Sequence, residues 1–497
     1  MLKRVLVANR GEIAIRILRA CREMGIDSVA VYSEADAAAP HVGCADAAVC
    51  IGPPPSHESY LNIPRLLAAA KATGADAVHP GYGFLAENAA FARAVEDAGL
   101  VFVGPSPEAI AAMGDKPRAR QMAVAAGVPV LPADEDPPRD AGALVTAARG
   151  IGYPLLIKAA AGGGGKGMRV VRNEAALSAS FAAAARESLG AFGDDRLFLE
   201  KYVERPRHVE VQVLADQAGR VVHLGERECS IQRRHQKIIE ETPCPVLTAE
   251  TRRRMTDAAV ALTRAVAYRG AGTVEFLLAP DGEFYFLEMN TRLQVEHPIT
   301  EWVTGIDLVQ AQLRIAAGES LWFEQADVVA RGHAIECRIC AEDPAQGFLP
   351  SPGTIRHLRE PQGPGVRVDS GIARGFTVPL YYDPLLSKLS VWGSDRDSAR
   401  RRMSAALCAY EILGCTTAIP FLIDVLAHPA FCRGETHTHF IDEHFPAWRG
   451  SDTHTDIAFL AAAIDCARAQ PATTPEDSTA AATPWTRLGP WRVGRQA

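Results

Sequence analysis

The chain has 497 residues, of which 48% are hydrophobic and 22% are charged, a composition typical of a folded globular protein with about three domains. Its formal net charge of −7 argues against a nucleic-acid partner or an acidic membrane surface, and no apolar run approaches the roughly 18 residues of a membrane-spanning helix. Eleven scattered cysteines, and the lack of a signal-peptide pattern in Met1–Leu18, predict reduced thiols and a cytoplasmic location.

The first predicted domain, residues 1–114, alternates apolar strand segments with helical patterns. Such alternation is typical of a parallel sheet that is covered on both faces. The first strand-to-helix turn lacks the spacing of a GxGxxG motif, which weakens a dinucleotide-binding interpretation. The loop His79–Phe84 follows another strand, where open α/β sheets bind ligands, although a purely structural turn fits as well. The predicted strands and helices are Val5–Ala8, Glu12–Met24, Ser28–Tyr32, Ile63–Ala72, Ala77–His79, Phe91–Ala98 and Val101–Val103.

A glycine run at residues 160–168 lies between two predicted strands, Ile151–Ala159 and Arg169–Val171. Glycines let backbone N–H groups approach phosphate oxygens closely, and they also make a mobile flap. The run is not a Walker A loop, because no Ser or Thr follows Lys166 and a strand comes next. A flexible linker fits less well, because the flanking segments are apolar. The run therefore predicts a loop that covers a nucleotide.

Lysine is rare in this chain, since only eight of the 52 basic residues are lysines. Where arginine serves as the general surface cation, a retained lysine indicates a place that needs a compact ammonium, such as a phosphate site. Five of the eight lysines lie between Lys116 and Lys237. This clustering indicates a phosphate-binding centre in the second predicted domain.

The sheet of the second domain is predicted to continue through Phe198–Val203, His208–Leu214 and Val221–Leu224. The segment that follows, Glu226–Ile238, is dense in charged residues. A solvated charged face is the usual interpretation of such a run, but its alternating cations could equally neutralise a polyphosphate. The residues alone leave both interpretations open.

Two further strands, Thr273–Leu278 and Glu283–Met289, are predicted to form a hairpin across an Asp-Gly turn. A two-residue turn places Glu275 opposite Glu288, and a three-residue turn would shift this register. Like charges that face each other destabilise a sheet, so a cation is expected between them. Mg²⁺ takes carboxylate oxygens and shares them with phosphates, and Asn290 adds a third oxygen on the same face. The alternative is a solvated hairpin with two unrelated glutamates.

Three polar residues alternate just beyond the hairpin: Arg292, Gln294 and Glu296. The planar guanidinium of Arg292 suits a small oxyanion, and Glu296 is a candidate general base beside it. A surface Arg–Glu pair explains the same residues equally well. A third unit follows, with a predicted strand His333–Cys340, a strand Leu389–Val391 and a helix Ser398–Leu413.

Taken together, these stretches resemble biotin carboxylase, the ATP-grasp component of biotin-dependent acyl-CoA carboxylases. The resemblance covers about nine-tenths of the chain, from Met1 to about Trp448, and rests on motifs that occur in one fixed order. They are VLVANRGEIAIR (Val5–Arg16), HPGYGFLAEN (His79–Asn88), the loop Gly162–Met168, RECSIQRRHQK (Arg227–Lys237), FLEMNTRLQVEHPITE (Phe286–Glu301), HAIECRICAEDP (His333–Pro344) and YYDPLLSKL (Tyr381–Leu389). One departure is Ala161, where the family often has another glycine.

The resemblance implies an α/β and α+β fold of three domains. Residues 1–114 would form a Rossmann-like pre-ATP-grasp domain, and residues 115–330 an ATP-grasp domain whose mobile lid spans about 131–203. Residues 331–448 would form the biotin carboxylase C-terminal domain. Residues 449–497, rich in Ala, Thr and Pro, are predicted to be a linker-like tail.

The resemblance also implies a role for each matching residue. Glu296 would be the catalytic base, Arg338 would stabilise the enolate of biotin, and both would act with Arg292 and Lys237. Bicarbonate would be bound by Lys237, Arg292, Gln294 and Val295, and Mg²⁺ or Mn²⁺ by Glu275, Glu288 and Asn290. ATP would be bound by Lys116, Lys158, Gly164, Gly165, Glu200, Lys201, Val203, His208, Gln232, His235, Glu275 and Glu288.

The implied reaction is ATP-dependent carboxylation of biotin by bicarbonate through carboxyphosphate. The implied partners are a second copy of the chain, a biotinylated carrier and a carboxyltransferase subunit. No lysine follows Lys388, so the tail is not expected to carry biotin itself. Another ATP-grasp carbon–nitrogen ligase, or an inactive ATP-binding scaffold, are the alternatives. The acyl-CoA or other acceptor that would finally receive the carboxyl group cannot be read from these residues.

Overall fold

A computed structural model describes residues 2–159, 168–450, 457 and 459–464. Met1–Trp448 form one compact unit, and Arg449–Ala497 are a second unit. The glycine run predicted to cover a nucleotide, with Gly164 and Gly165, and most of the predicted tail lie outside the described residues. Among the described helices, none has the length and the apolar character needed to cross a membrane.

The N-terminal region contains the predicted parallel sheet, in the strand order β3-β2-β1-β4-β5. Successive side chains of β1 point to opposite faces: Val5 and Val7 pack with Ile13 of α1, while Leu6 packs with Phe91 of α4. Both faces of the inner strands β1, β2 and β4 are therefore largely buried, as in other parallel sheets, whereas the edge strand β3 is mostly exposed. The elements are β1 (Arg4–Val7), α1 (Gly11–Glu23), β2 (Asp27–Tyr32), α2 (Pro40–Cys44), β3 (Ala47–Cys50), α3 (Ile63–Thr73), β4 (Ala77–His79), α4 (Ala89–Asp97), β5 (Val101–Phe102) and α5 (Pro107–Gly114).

The next region begins with α6 and then forms a four-stranded sheet in the order β6-β9-β7-β8. This sheet has its own core, in which Leu144 and Ala148 of a helix pack on Leu155, Ile157 and Leu199. A separate core is what a segment needs to move as a unit. The elements are α6 (Lys116–Ala125), β6 (Ala133–Asp134), α7 (Ala141–Ile151), β7 (Leu155–Ala159), β8 (Arg169–Val171), α8 (Leu177–Phe192) and β9 (Leu197–Lys201).

The largest of the described sheets is antiparallel and has eight strands, in the order β14-β13-β10-β11-β12-β15-β22-β20. It continues without a break across the predicted domain boundary at residue 330, because β12 pairs with β15. Its first part comprises β10 (Arg207–Ala215), β11 (Val221–Arg233), β12 (Gln236–Thr242), α9 (Ala249–Ala265), β13 (Gly270–Leu278), β14 (Phe284–Asn290), α10 (His297–Thr304) and α11 (Leu308–Ala316).

The C-terminal region adds three strands to this sheet and packs helices against them around Leu389, Val391 and Phe431. Its elements are β15 (His333–Cys340), β16 (Glu342–Asp343), β17 (Leu349–Pro350), β18 (Gly353–Thr354), β19 (His357–Arg359), β20 (Val366–Ser370), β21 (Thr377–Val378), β22 (Leu385–Gly393), α12 (Arg396–Cys408), β23 (Glu411–Leu413), α13 (Ile419–Ala427), α14 (Pro429–Cys432) and α15 (Phe440–His444). Short 3₁₀ helices lie at Glu34–Asp36, Ser56–Glu58, Glu174–Ala176, Gln325–Asp327 and Pro344–Gln346.

Two predicted elements extend well beyond the observed ones. The strand expected from Ile151 begins only at Leu155, because α7 ends at Ile151 and Gly152 follows with a φ of +84°. The helix expected over Ser398–Leu413 ends at Cys408, because its last three residues pair with β19 as a strand. In both places the backbone turns and ends the element, although the apolar pattern continues in the sequence.

Candidate active site

The hairpin of β13 and β14 brings Glu275 opposite Glu288, as the sequence predicts, but by a different route. The loop has three residues between Ala279 and Glu283, not two, and such a loop alone would shift the register. A β-bulge restores it: Phe276 pairs with Phe286 while Glu275 pairs with Glu288. The extra residue lies on β14 and turns both carboxylates to one face.

Four side-chain nitrogens surround the carboxylate of Glu275. Its Oε1 accepts from Lys237 Nζ, Asn290 Nδ2 and Gln294 Nε2, each at 2.7 Å. Its Oε2 lies 2.7 Å from His208 Nε2. Burial alone would raise the pKa of Glu275, but Lys237 and His208 hold it well below its usual value. Glu275 is therefore an anion at neutral pH.

Glu288 has the opposite electrostatic environment. Burial and the charge of Glu275 raise its pKa, and the nearby charge of Lys116 only partly offsets them. Asp115 caps α6 by accepting from the backbone N–H of Arg118, which fixes Lys116 at the helix N-terminus beside this pair. Two facing carboxylates with divergent pKa values fit a divalent cation, which would bind both as anions.

Lys237 lies at the centre of the site and contacts three carboxylates. Its Nζ is 2.5 Å from Glu210, 2.7 Å from Glu275 and 2.9 Å from Glu296. These anions raise its pKa well above the usual value, although burial acts in the other direction. Shortly before Lys237 in the chain, Arg234 has a φ of +46° and lies in the tight turn that joins β11 to β12. Lys237 is therefore a permanent ammonium that is held in place from three sides.

Glu296 accepts from two cations, Lys237 Nζ at 2.9 Å and Arg338 Nη2 at 3.0 Å. Burial would raise its pKa, but Lys237, Arg338 and Arg227 lower it far below the usual value. Arg338 also donates from Nε to Glu240 at 2.6 Å. Glu296 is thus fully ionised and is a weak base as long as both cations stay bound to it.

Arg227 shows how the charged segment Glu226–Ile238 is used. The segment forms β11 and β12 in the middle of the sheet, and it is not a solvated face. The guanidinium of Arg227 is completely buried and donates to Glu210 at 2.5 Å and to Gln294 at 2.7 Å. It also donates to Gln212, Thr273 and Thr300. This network ties the loop after β14 to three strands.

Most of the predicted site residues line one cavity of about 800 Å³. Lys201 is an exception, because its ammonium donates to the backbone carbonyls of Gly152 and Tyr153 and is absent from the lining. Val203 is half-buried and is also absent from the lining. The predicted residues that line it are Lys116, Lys158, Glu200, His208, Gln232, His235, Lys237, Glu275, Glu288, Asn290, Arg292, Gln294, Val295, Glu296 and Arg338.

A second cavity of about 440 Å³ adjoins the first and shares five of its lining residues, Gln236, Lys237, Arg292, Val295 and Arg338. Its remaining walls come from the N-terminal and C-terminal regions and include Arg10, Tyr82, Glu342 and Tyr382. Two cavities that meet at a group of cations suit two ligands that exchange a small anionic group. The shared residues mark the place of exchange.

Sequence reasoning missed several residues that support this arrangement. Glu87 accepts from Arg292 Nε at 2.9 Å and from the backbone N–H of Thr291 at 3.0 Å, so it orients the fork of Arg292. Glu210 and Glu240 hold Lys237 and Arg338. Only Glu87 lies in a sequence motif with a recognisable position after a strand. The other two lie at strand positions that resemble ordinary half-exposed glutamates in the sequence.

Comparisons with known proteins agree with this geometry. Three family models match: "Biotin carboxylase, N-terminal domain" over residues 1–110, "Carbamoyl-phosphate synthase L chain, ATP binding domain" over 115–323, and "Biotin carboxylase C-terminal domain" over 336–443. Biotin carboxylase of Haemophilus influenzae is 53% identical over 89% of this chain and 99% of its own. Biotin carboxylase of Allochromatium vinosum is 52% identical, covering 89% of this chain and 98% of its own.

Solved structures give the same result. The biotin carboxylase domain dimer of Hydrogenobacter thermophilus 2-oxoglutarate carboxylase, in complex with MgADP, ADP and bicarbonate, matches with a TM-score of 0.87 at 47% identity, covering 91% of this chain and 99% of its own. Biotin carboxylase from Campylobacter jejuni, as its β,γ-ATP complex, matches with a TM-score of 0.87 at 47% identity. The match covers 89% of this chain and 99% of that chain. The chain therefore belongs to the biotin carboxylase family of ATP-dependent ligases, which carboxylate biotin with bicarbonate.

Proposed function

We propose that the larger cavity binds ATP and bicarbonate, and that the smaller cavity receives the ureido ring of biotin. The observation that supports this best is the group of five residues that line both cavities. Lys237, Arg292 and Arg338 among them are cations, and carboxyphosphate, the product of the first step, is an anion that must stay bound until the ring is carboxylated.

In the first step a bicarbonate oxygen attacks the γ-phosphorus of ATP, and ADP leaves as the phosphorus–oxygen bond to it breaks. Glu296 accepts the bicarbonate proton. A divalent metal held by Glu275, Glu288 and Asn290 would neutralise the charge that develops on the phosphates. Lys237, which now donates to Glu296, and Arg292, which now donates to Glu87, would turn to bicarbonate, and Lys237 would thereby weaken its hold on Glu296.

In the second step the carboxyl group moves from carboxyphosphate to the ring nitrogen of biotin, and phosphate is released. The nitrogen must lose its proton, which the departing phosphate accepts, so negative charge develops on the ureido oxygen. Arg338 lines both cavities and would stabilise this charge. Its bonds to Glu240 and Glu296 keep its guanidinium oriented while it does so.

We also propose that the biotin is carried by a separate carrier and that the carboxyl group then passes to a carboxyltransferase subunit. A tether raises the local concentration of biotin, typically to about millimolar with a short linker. Self-association is supported by the dimer that the biotin carboxylase domain of Hydrogenobacter thermophilus 2-oxoglutarate carboxylase forms. The cysteines that the structure describes are all free, which supports the cytoplasmic location expected from the sequence.

The assay that tests this function is ATP cleavage with and without bicarbonate and biotin. Cleavage is expected to need bicarbonate and to rise with biotin, and a biotinylated carrier is expected to be a far better substrate than free biotin. A free amine that replaces bicarbonate would point instead to another ATP-grasp ligase. Cleavage that ignores both bicarbonate and biotin would contradict the proposal.

The four-stranded sheet with its own core is proposed to be the lid, at about residues 131–203, that closes on the nucleotide. Lys158 and Glu200 lie on its β7 and β9, form an ion pair, and line the larger cavity. Amide hydrogen exchange in β7 and β9 is therefore expected to slow when Mg²⁺ and ATP are added. The parallel sheet of residues 4–102 is the internal control. Equal protection of β7 and β9 with and without nucleotide would argue against closure.

A further inference from the structure

Lys388 on β22 has a completely buried ammonium in a chain that uses few lysines. A buried charge is costly unless its partners compensate it. Lys388 Nζ donates to the backbone carbonyl of Val295 at 2.8 Å and lies 3.3 Å from Glu12 Oε2. Val295 lines both cavities and precedes Glu296 in the chain. The proposed reaction gives Lys388 no chemical role.

Glu12 connects Lys388 to the wall of the smaller cavity. It lies in the first turn of α1, and its Oε1 accepts a hydrogen bond from the hydroxyl of Tyr82. Glu12 and Tyr82 both line the smaller cavity. A continuous line of contacts therefore runs from Tyr82 through Glu12 and Lys388 to the carbonyl of Val295.

The line is held rigidly at both ends. A Cβ added at Gly371 would lie 2.7 Å from the backbone nitrogen of Glu12, so the start of α1 is pressed against the C-terminal region. On β15 the residue paired with Lys388 is Arg338, which contacts Glu296. A shift of Lys388 would therefore displace both Val295, which precedes the general base Glu296, and Arg338, which contacts it.

We propose that Glu12 and Lys388 are positioning residues that couple occupation of the smaller cavity to the placement of Val295 and Glu296. Neither residue is assigned a contact with the reacting atoms. Glu12, which itself lines the smaller cavity, acts through Tyr82 and Lys388, and Lys388 acts through the Val295 carbonyl. This inference rests on the proposed function, because it takes the smaller cavity to be the place where the biotin ring binds.

The coupling has a pH dependence of its own. Burial raises the pKa of Glu12 to about 7, although Lys388 lowers it, and Asp369 and Arg367 on β20 add opposing smaller effects. Glu12 is thus neutral below about pH 7 and becomes an anion as the pH rises through this value. Its ion pair with Lys388, and with it the coupling, is expected to be complete only on the alkaline side.

The test is Glu12→Gln, which keeps the size and the hydrogen-bonding capacity of the side chain and removes the charge. The apparent KM for biotin is expected to rise about tenfold, which corresponds to about 1.4 kcal/mol. The rise of biotin-dependent ATP cleavage through pH 7 should disappear. Nucleotide affinity, measured by calorimetry, should stay within about twofold of wild type, since Glu12 does not line the larger cavity.

Glu342→Gln is the matched control, because Glu342 also lines the smaller cavity and pairs with Arg233 but has no contact with Lys388. In the Glu342→Gln variant, biotin-dependent ATP cleavage should still rise through pH 7. Wild-type enzyme without biotin-dependent cleavage would refute the proposed function itself. An active wild type with an unaltered pH profile in Glu12→Gln would refute only the coupling. If Glu12→Gln misfolds and so loses nucleotide affinity, the Tyr82→Phe variant replaces it in the test. A rise of biotin-dependent ATP cleavage through pH 7 that is unchanged in Tyr82→Phe would overturn the coupling.

Discussion

Replacing Glu296 by Gln is expected to lower biotin carboxylation by at least about 100-fold, the usual loss when a general base is removed. The fold should tolerate the change. Lys237 keeps two other carboxylates, Glu210 and Glu275, and Arg338 keeps Glu240. Nucleotide binding should therefore stay near wild type, so that kcat falls and nucleotide Kd does not. Steady-state carboxylation together with nucleotide titration makes the distinction.

Glu240→Gln is the matched control for this prediction. Glu240 is also buried and also accepts from Arg338, but Lys237 donates to Glu210, Glu275 and Glu296. Burial and the neighbouring Glu296 raise its pKa to about 7 against the effect of Arg338, so a neutral amide imitates a state that the carboxyl already adopts. A loss below about tenfold is expected, less than the loss from removing a general base. Equal losses in the two variants would show that Glu296 acts only by holding Arg338.

The depressed pKa of Glu296 has a consequence for the order of events. In the ligand-free protein its carboxylate is held by Lys237 and Arg338, and a base with so low a pKa takes a proton poorly. An anion that enters between these cations competes for them and raises the pKa of Glu296. Bicarbonate would thus help to create the base that deprotonates it. Before bicarbonate binds, Glu296 is therefore expected to be a poor base.

The hairpin of β13 and β14 shows which features of the site can be predicted from the sequence. The pairing of Glu275 with Glu288 followed from charge and alternation, yet the turn that would produce it directly is absent from this described hairpin. A loop of three residues and a bulge give the same register as a loop of two. The bulge has no side-chain signature at Leu287, and it is set by the requirement that both carboxylates face one site.

The charged segment at the centre of the sheet shows where sequence reasoning fails. Arg227 is completely buried, and its partners Gln294 and Thr300 lie far away in the sequence, beyond β13 and β14. Local pattern cannot separate a buried ion network from a solvated face, because the difference lies in residues that only the fold brings near. The same holds for Lys388 and Glu12, which belong to the C-terminal and N-terminal regions of the sequence and whose side chains lie 3.3 Å apart.

Replacing Glu288 by Lys is expected to abolish metal-dependent nucleotide binding. The change removes one of the two carboxylates that face each other and adds a cation where the metal would bind, beside Lys116. The folded protein should lose little stability without metal. Glu275 is already compensated by Lys237 and His208, so it does not depend on Glu288. Calorimetric titration with Mg²⁺ and ATP, and thermal unfolding with and without them, measure the two effects.

Glu283→Lys is the control for this prediction, because it makes the same charge change on the same hairpin at an exposed position. It should leave the nucleotide-induced rise in Tm intact, whereas Glu288→Lys should show none. The pH supplies a second check on the wild type. Because burial and Glu275 raise the pKa of Glu288, a proton competes with the metal there, and metal affinity should increase with pH until that carboxyl is ionised. Metal-dependent binding that survives in Glu288→Lys would place the metal elsewhere and leave the facing carboxylates without a function.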